Sequence, residues 1–392
     1  MIILEGKYNK AKVFTENIEN TAISQIIELC NQEFVKNSKI RIMPDVHSGA
    51  GCTIGTTMTI KDKIVPNLVG VDIGCGMLTI KLKEKEIDYN LLDRIIKENI
   101  SIEREIIVKE NIFTDFIDLR ELKCSEFISL KKSKLSFSTI GNGNHFIEIN
   151  KDKKENLYLV IHSGSRHLGK QVAVYYQNLA IKRILDKERE EFINKLKTDG
   201  KEKEIQKILK NYIPVKVESN LACLQGNDFD NYIHDMKIVQ KFASLNRESM
   251  AEDIIKALKL TVIDKFETVH NYIDTNNMIL RKGSISANKN EKVLIPINMR
   301  DGSIIAIGKG NEDWNYSAPH GAGRLFSRGK SKELITLEQF KESMKGIYSI
   351  TINESTINES PMAYKPLEEI VKNIKDTVEI IDIIKPIYNF KS

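Results

Sequence analysis

Hydrophobic and polar positions alternate in two rhythms along this chain. Between Asn17 and Asn37, Ile23, Ile26, Ile27, Cys30 and Phe34 recur every three or four residues, the period of a helix with one buried face. From Ile40 the rhythm shortens to that of strands. Ile40 to His47 reads as a strand that breaks at Pro44, Thr56 to Ile60 and Ile64 to Val69 as a hairpin around Lys61-Asp62-Lys63, and Met77 to Leu82 as a further strand. Lys83 to Ser138 is polar and charged, with no candidate chemistry. Leu157 to Ile161 is uniformly apolar, the pattern of a strand buried on both faces. Helical spacing returns from Leu168 to about Leu260, in Ala173 to Leu196, Glu202 to Tyr212 and Asp230 to Leu258, with Gly200 and Pro214 as breaks. Lys265 to Ile273, Met278 to Gly283 and Val293 to Ile297 then read as strands. Strands and helices do not alternate as a doubly wound sheet requires. The expectation is therefore an α+β fold, one domain over 1–392 with central β-sheets, flanking helices and an embedded helical subdomain at 168–260.

Composition narrows the function classes only slightly. Lys and Arg number 59 against 54 Asp and Glu, a net +5 that leaves room for a locally basic groove facing a phosphate-rich substrate without establishing one. Five cysteines (30, 52, 75, 124, 223) are scattered, with no C-x-x-C pair, so free or metal-bound thiols in a reducing compartment fit better than a disulfide framework. The N-terminus lacks the basic and long apolar regions of a signal peptide, and no run approaches the roughly 18 apolar residues of a membrane span. A soluble, cytoplasmic protein without a membrane partner is expected.

Four glycine-rich turns change the picture. In Gly70-Val-Asp-Ile-Gly-Cys-Gly76, Asp72 and Cys75 bring a hard oxygen and a soft sulfur within one turn. Taken alone, a D-x-x-C of this kind is more commonly a strand-ending turn with a buried thiol. Downstream, Ile140-Gly-Asn-Gly-Asn-His-Phe-Ile-Glu148 sets Asn144, His145 and Glu148 in one loop-to-strand unit, and the apolar strand ends in His162-Ser-Gly-Ser-Arg166. His270 follows, then His320-Gly-Ala-Gly-Arg324, where small residues leave the ring free to project and Arg324 and Arg328 are spaced to share one face of a following helix. Asp45 and His47, on the glycine-rich segment after Pro44, are candidate supporting or phosphate-side groups, as are Arg281 and Lys282. His167 and His234 lack such surroundings.

The ordered set of segments Met43-Pro-Asp-Val-His47, Val69 to Met77, Gly143 to Glu148, His162 to Arg166, Phe242-Ala-Ser-Leu-Asn-Arg247, His270-Asn-Tyr272, Arg281-Lys-Gly283, His320 to Arg324 and Met362-Ala-Tyr-Lys365 resembles the RtcB family of RNA-splicing ligases over nearly the whole chain. The resemblance implies an enzyme dependent on GTP and two Mn2+ ions. Such an enzyme joins RNA 3′-phosphate or 2′,3′-cyclic phosphate ends to 5′-hydroxyl ends through a histidine-GMP and an RNA 3′-pp-guanosine intermediate, in RNA repair or tRNA splicing. By motif, His320 is the GMP carrier, with Asn144 and Arg324 as catalytic partners. Asp72, Cys75, His145, His162 and His270 are the metal ligands, Cys75 bridging. The nucleotide site comprises Asn144, His145, Phe146, Glu148, Asn298, His320, Gly321, Ala322, Gly323, Arg324, Tyr364 and Lys391. RNA with those ends is the implied partner, and an archease-type activator a further one to consider. Ligand softness by itself points to zinc, so manganese rests on the resemblance.

Two departures stand out. Where most members have Pro-Gly-Ser-Met-Gly, this chain has Pro296-Ile-Asn-Met-Arg-Asp-Gly302, so the serine contact falls on Asn298; the usual terminal Lys-Gly is Lys391-Ser392. Both point to a divergent branch, one used for RNA repair. The alternatives are a metal-dependent phosphoesterase, which needs no carrier histidine, and a non-catalytic RNA-binding protein of the same fold, which needs no intact Asp/Cys/His set.

Overall fold

The computed structural model describes residues 1–100, 116–212 and 219–391. The break placed at Pro214 and part of the polar stretch after Lys83 lie outside the described residues.

Two sheets carry the fold, a mixed α+β arrangement. One has six strands in the order Ile2–Glu5, Lys10–Val13, Ile40–His47, Ile54–Thr59, Ile279–Lys282, Asn271–Asp274. The other has seven: Val262–Val269, Gly76–Leu82, Leu157–Ser163, Phe146–Lys151, Val378–Lys391, Gly302–Gly308, Lys292–Asn298. Its two outer strands approach each other, since Leu294 N–H donates to Thr268 Oγ1 at 3.1 Å and Lys292 pairs with Asp264. The sheet thus curls into a barrel-like wall. Alternation puts Met77, Phe146, Tyr158, Val160, Leu294, Ile305 and Ile384 in one buried cluster inside that wall. Ile147, Ile149, Leu159 and Ile161 face outward, against Met250 and Ile254 of the helix Asn227–Leu258.

The two long helices are Arg166–Thr198 and Asn227–Leu258, with short helical turns around 202–209 between them. The first starts immediately after the strand Leu157–Ser163, earlier than its apolar periodicity suggested, because Arg166 and Leu168 are already buried. Phe229, Tyr232, Met236, Val239 and Phe242 of the second pack with Val172 and Tyr176 of the first and with Ile64, Leu68 and Ile73. This packing supports the turn that holds Asp72 and Cys75 from below.

Two sequence expectations fail for identifiable reasons. Ile64 to Val69 forms no hairpin with Thr56 to Ile60. Pro66 has no N–H to give a ladder and opens the 3-10 turn Pro66–Leu68, while Lys63–Ile64 pairs with Leu224–Gln225 from a distant part of the chain. The strand Ile40–His47 does not end at Pro44 either. Its pairing with Ile54–Thr59 shifts register between Ile42 and His47, and the Pro44 carbonyl accepts from Lys365 Nζ at 2.9 Å instead of from a neighbouring strand.

The seam between the sheets falls at a single residue. Val262–Val269 belongs to the seven-stranded sheet and Asn271–Asp274 to the six-stranded one, with His270 between them.

Candidate active site

A cavity of about 840 Å³ opens where the sheets meet. Its wall includes Asp72, Cys75, Asn144, Phe146, Glu148, His162, His270, Asn298, His320 to Arg324, Tyr364 and Lys391. Residues scattered from 72 to 391 therefore line one space. His145 sits just behind, its Nε2 3.2 Å from Asp72 Oδ2.

Cys75 is the pivot of the arrangement. Its Sγ lies 3.4 Å from His145 Nε2 and 3.4 Å from His162 Nε2. Two sets of potential ligand atoms, Cys75 with His162 and His270, and Asp72 with Cys75 and His145, each fall within 4.8 Å of one another. The sulfur is common to both.

Neighbouring groups fix each donor. Ser165 N–H donates to Asp72 Oδ1 at 2.9 Å, and Gly164 is required because a Cβ there would meet the Asp72 carboxylate at 2.1 Å. His145 Nδ1 donates to the Ile140 carbonyl at 2.9 Å and His162 Nδ1 to the Asn144 carbonyl at 3.1 Å, which leaves Nε2 of each directed at the sulfur with a lone pair. From below, Arg247 donates to the carbonyls of Gly74 at 2.9 Å and Ser163 at 2.6 Å and pairs with Glu267 at 2.7 Å, while Asn246 donates to the carbonyls of Thr139 and Gly164. Both belong to the helix Asn227–Leu258 and to the segment Phe242 to Arg247. The Asn-Arg pair at its inner surface was the available signal.

The electrostatics suit a cation. Burial holds His162 and His270 well below the ordinary imidazole value, so both are neutral donors near pH 7. Burial opposes the Asp72 charge, but the neighbouring His145 ring, with Arg166 and the Ser165 N–H, keeps its carboxyl below the usual range. Burial and the neighbouring Asp72 push the Cys75 thiol well up, a balance that a bound cation reverses. His270 Nδ1 is buried with no hydrogen-bond partner among the described residues. A buried imidazole nitrogen left unpaired beside a thiol and other imidazoles fits a metal ion, and the donor set of N, S and O atoms is chemically adequate to hold one.

His320 stands beside this cluster, its ring centroid 4.8 Å from that of His270. Asp45 holds it. Asp45 Oδ2 accepts from His320 Nδ1 at 2.6 Å and from its backbone N–H at 3.1 Å. The fully buried carboxylate fixes the Nδ1–H tautomer and leaves the lone pair on Nε2. Gly323, at φ +77°, lets the Gly-Ala-Gly turn lie on Asp45, whose carbonyl oxygen a Cβ would meet at 2.4 Å.

At the far end of the cavity, strand Phe146–Lys151 presents Glu148. Asn389 donates to Oε1 at 2.6 Å and Asn150 to Oε2 at 3.2 Å, and burial raises the carboxyl to about 7 against those donors and Lys391. Lys391 lies over the Phe146 ring, 5.5 Å from its centroid. Two polar groups here differ from expectation. Asn298 lines the cavity, but its amide is committed to its own turn: Nδ2 donates to Asp301 at 2.8 Å, and Oδ1 accepts from the N–H groups of Arg300 and Asp301. The free hydroxyl is instead Ser303, five residues on, buried at the cavity wall with its Oγ unpartnered among the described residues.

Other expectations are corrected in the same way. Arg324 is not on a helix; it forms a bridge with Tyr364, and the helix starts at Arg328. Its guanidinium lies over the Tyr364 ring and contacts Glu359 at 3.4 Å, and Arg328 reaches the same carboxylate at 3.7 Å. Glu359 also meets Lys391 at 3.3 Å and the Tyr364 hydroxyl. One buried acid thus organises four residues of the wall, and sequence reading missed it because nothing in Asn353 to Ser360 distinguishes it. Arg281 and Lys282 do not face the cavity as phosphate-side cations. Arg281 is fully buried, bonded to Ser317 at 2.9 Å and Tyr272 at 2.9 Å, and Lys282 ties the carbonyls of Ala50 and Asn67 together. His234, half-buried and away from the cavity wall, pairs with the buried Asp235 at 3.1 Å.

Comparison with known proteins decides the family. The tRNA-splicing ligase RtcB family model matches residues 25–114 and 114–392. The chain belongs to the RtcB family. It is similar to RNA-splicing ligase RtcB of Escherichia coli K12, 29% identical over 96% of this chain and 96% of the relative. It is also similar to the tRNA-splicing ligases RtcB of Methanococcus maripaludis, 25% identical over 92% and 89%, and of Aeropyrum pernix, 25% identical over 84% and 83%. Among the described residues, no helix is long and apolar enough to cross a membrane.

Asp45 yields a prediction within this RtcB-family site. Asp45→Asn retains volume but loses the carboxylate charge and can turn an N–H2 towards His320 Nδ1 in place of an oxygen, so the nucleotide transfer to His320 proposed below is expected to slow by about 10²- to 10⁴-fold while metal content stays unchanged. Adduct formation per minute, alongside elemental analysis, checks both halves.

Proposed function

We propose that this protein is a GTP- and Mn2+-dependent RNA ligase that seals 3′-phosphate or 2′,3′-cyclic phosphate ends to 5′-hydroxyl ends. The observation carrying the reading is the adjacency of two ligand sets sharing Cys75 to an imidazole whose Nδ1 is held by a buried carboxylate. A site for hydrolysis needs the first feature and not the second.

Two divalent cations bound at Asp72, Cys75, His145, His162 and His270 would screen the charges of the phosphates brought together there. The residues themselves do the rest. Nε2 of His320 attacks the α-phosphorus of the nucleotide, and the N–P bond forms as pyrophosphate leaves. The RNA 3′-phosphate then displaces the imidazole to give RNA 3′-pp-guanosine, and the 5′-hydroxyl displaces GMP. Glu148 accepts from the donor edge of the base, Ser303 supplies a hydroxyl beside it, Tyr364 and Lys391 close the same end, and Asn144 and Arg324 border the phosphates. Because these groups come from both sheets and from the last strand, residues 1–392 act as one catalytic unit. Cleaved RNA with such ends, from damage or intron removal, is the substrate class.

The test uses RNAs of defined ends with Mn2+ and GTP or ATP. Joining of 3′-phosphate to 5′-hydroxyl with GTP is the expected result. Efficient joining of 3′-hydroxyl to 5′-phosphate ends would remove the mechanism, and hydrolysis without joining would turn the site into a phosphoesterase.

A further inference from the structure

His47 lines the cavity beside His320 and is used by none of the steps above. It occupies the end of the strand Ile40–His47, and its Nδ1 donates to the main-chain carbonyl of Asp45 at 2.9 Å. The same residue therefore holds two imidazoles, His320 by its carboxylate and His47 by its carbonyl. A carbonyl can only accept, so the proton of neutral His47 is on Nδ1 and its Nε2 carries the lone pair. The residues behind the ring are immobilised. Ser48 N–H donates to Glu19 Oε1 at 2.8 Å, the Ser48 hydroxyl lies 2.7 Å from Thr21 Oγ1, and Gly49 exchanges bonds of 3.1 and 2.8 Å with the Gln25 amide. Such anchoring is what a positioned proton acceptor needs.

Protons decide which step would use it. Attack by neutral His320 Nε2 on the nucleotide releases none, and the RNA 3′-phosphate attacks as an anion. The 5′-hydroxyl is the one nucleophile of the joining sequence that must lose a proton. His162, His270 and His145 converge on Cys75, and His320 carries the nucleotide, which leaves His47 as the free nitrogen base among the described residues of the cavity.

Resting on the ligase reading, we propose that His47 is the general base of the sealing step. The 5′-oxygen forms its bond to the RNA 3′-phosphorus, the P–O bond to GMP breaks with its electron pair leaving on GMP, and the hydroxyl proton passes to His47 Nε2. Burial is the largest influence on the ring and, with His320 and Arg324, keeps it below the ordinary imidazole value, while the Asp45 carbonyl hydrogen bond and the carboxylates of Asp45 and Glu19 oppose that shift. The base works when neutral. Sealing therefore rises with pH along an acid limb below about 6.5 and levels above it.

The experiment supplies RNA already carrying a 3′-pp-guanosine end, together with 5′-hydroxyl RNA and Mn2+, and measures single-turnover sealing from pH 5 to 8. His47→Asn keeps an N–H for the Asp45 carbonyl but no base, and His47→Gln serves as a second variant; metal content and melting temperature report folding. The expected result is a loss of about 10²-fold or more at pH 7 in both, with the acid limb gone. Wild-type rates in either folded variant, or slower sealing with the acid limb intact, overturn the assignment. Failure of the wild-type protein to seal this RNA overturns the ligase reading and the assignment together.

Discussion

His320→Ala is expected to abolish the covalent nucleotide adduct proposed for this site and to slow the proposed joining of 3′-phosphate ends by more than about a thousandfold, as removal of a catalytic nucleophile does. The structure makes the effect specific. His320 belongs to neither ligand set on Cys75, so the variant retains its metal, and its ring is held from one side by Asp45, so shortening the side chain leaves the surrounding turn in place. With labelled GTP and Mn2+, wild type acquires an acid-labile, base-stable label that the variant lacks. RNA already bearing a 3′-pp-guanosine end is still joined by the variant, because that step does not use the carrier. Label appearing normally on His320→Ala, or mapping to another residue, would end the assignment.

Cys75→Ala has the second large effect, and it separates this site from an ordinary mononuclear one. The sulfur is common to both potential ligand sets, so its removal takes a donor from each. Substitution of an outer-shell partner alone costs 10- to 100-fold in metal affinity, so losing this shared donor weakens retention by at least about 100-fold, and ligation falls with it. The side chain is small, and Arg247 and Asn246, which brace the turns around it through backbone carbonyls, make no bond to the sulfur, so the fold survives. Elemental analysis after gel filtration, with His234→Ala as the control, gives the answer. Unchanged metal content would sink the shared-ligand arrangement.

What could be read from the sequence was local. Asp72, Cys75, His145, His162 and His320, which the glycine turns announced, and His270, read within a strand, stand at one place in the folded chain, because glycine spacing and strand patterns are properties of a few neighbouring residues. Pairings across long separations left no such trace. Asp45 and His320 are 275 residues apart, and nothing around Asp45 tells a turn-capping carboxylate from one that orients an imidazole. Glu359 is silent for the same reason, its partners Arg324, Arg328, Tyr364 and Lys391 having been noticed without the acid that joins them. Charge misled where burial was invisible: Arg281 and Lys282 looked like phosphate ligands and are structural ties. Asn298 misled because position was read without geometry, its amide being spent on the turn while Ser303 remained free.

The placement of the strand Val378–Lys391 has a consequence for how the protein is made. It lies between Phe146–Lys151 and Gly302–Gly308, in the interior of the seven-stranded sheet. At roughly 5–20 residues per second, a ribosome finishes every histidine turn seconds before it supplies this strand. Until then the sheet is split, with two unpaired edges facing a gap and with no Lys391 to close the cavity. A chain without residues 378–391 therefore carries open strand edges prone to edge-to-edge aggregation, and their arrival closes the sheet and adds Lys391 to the cavity wall in the same event.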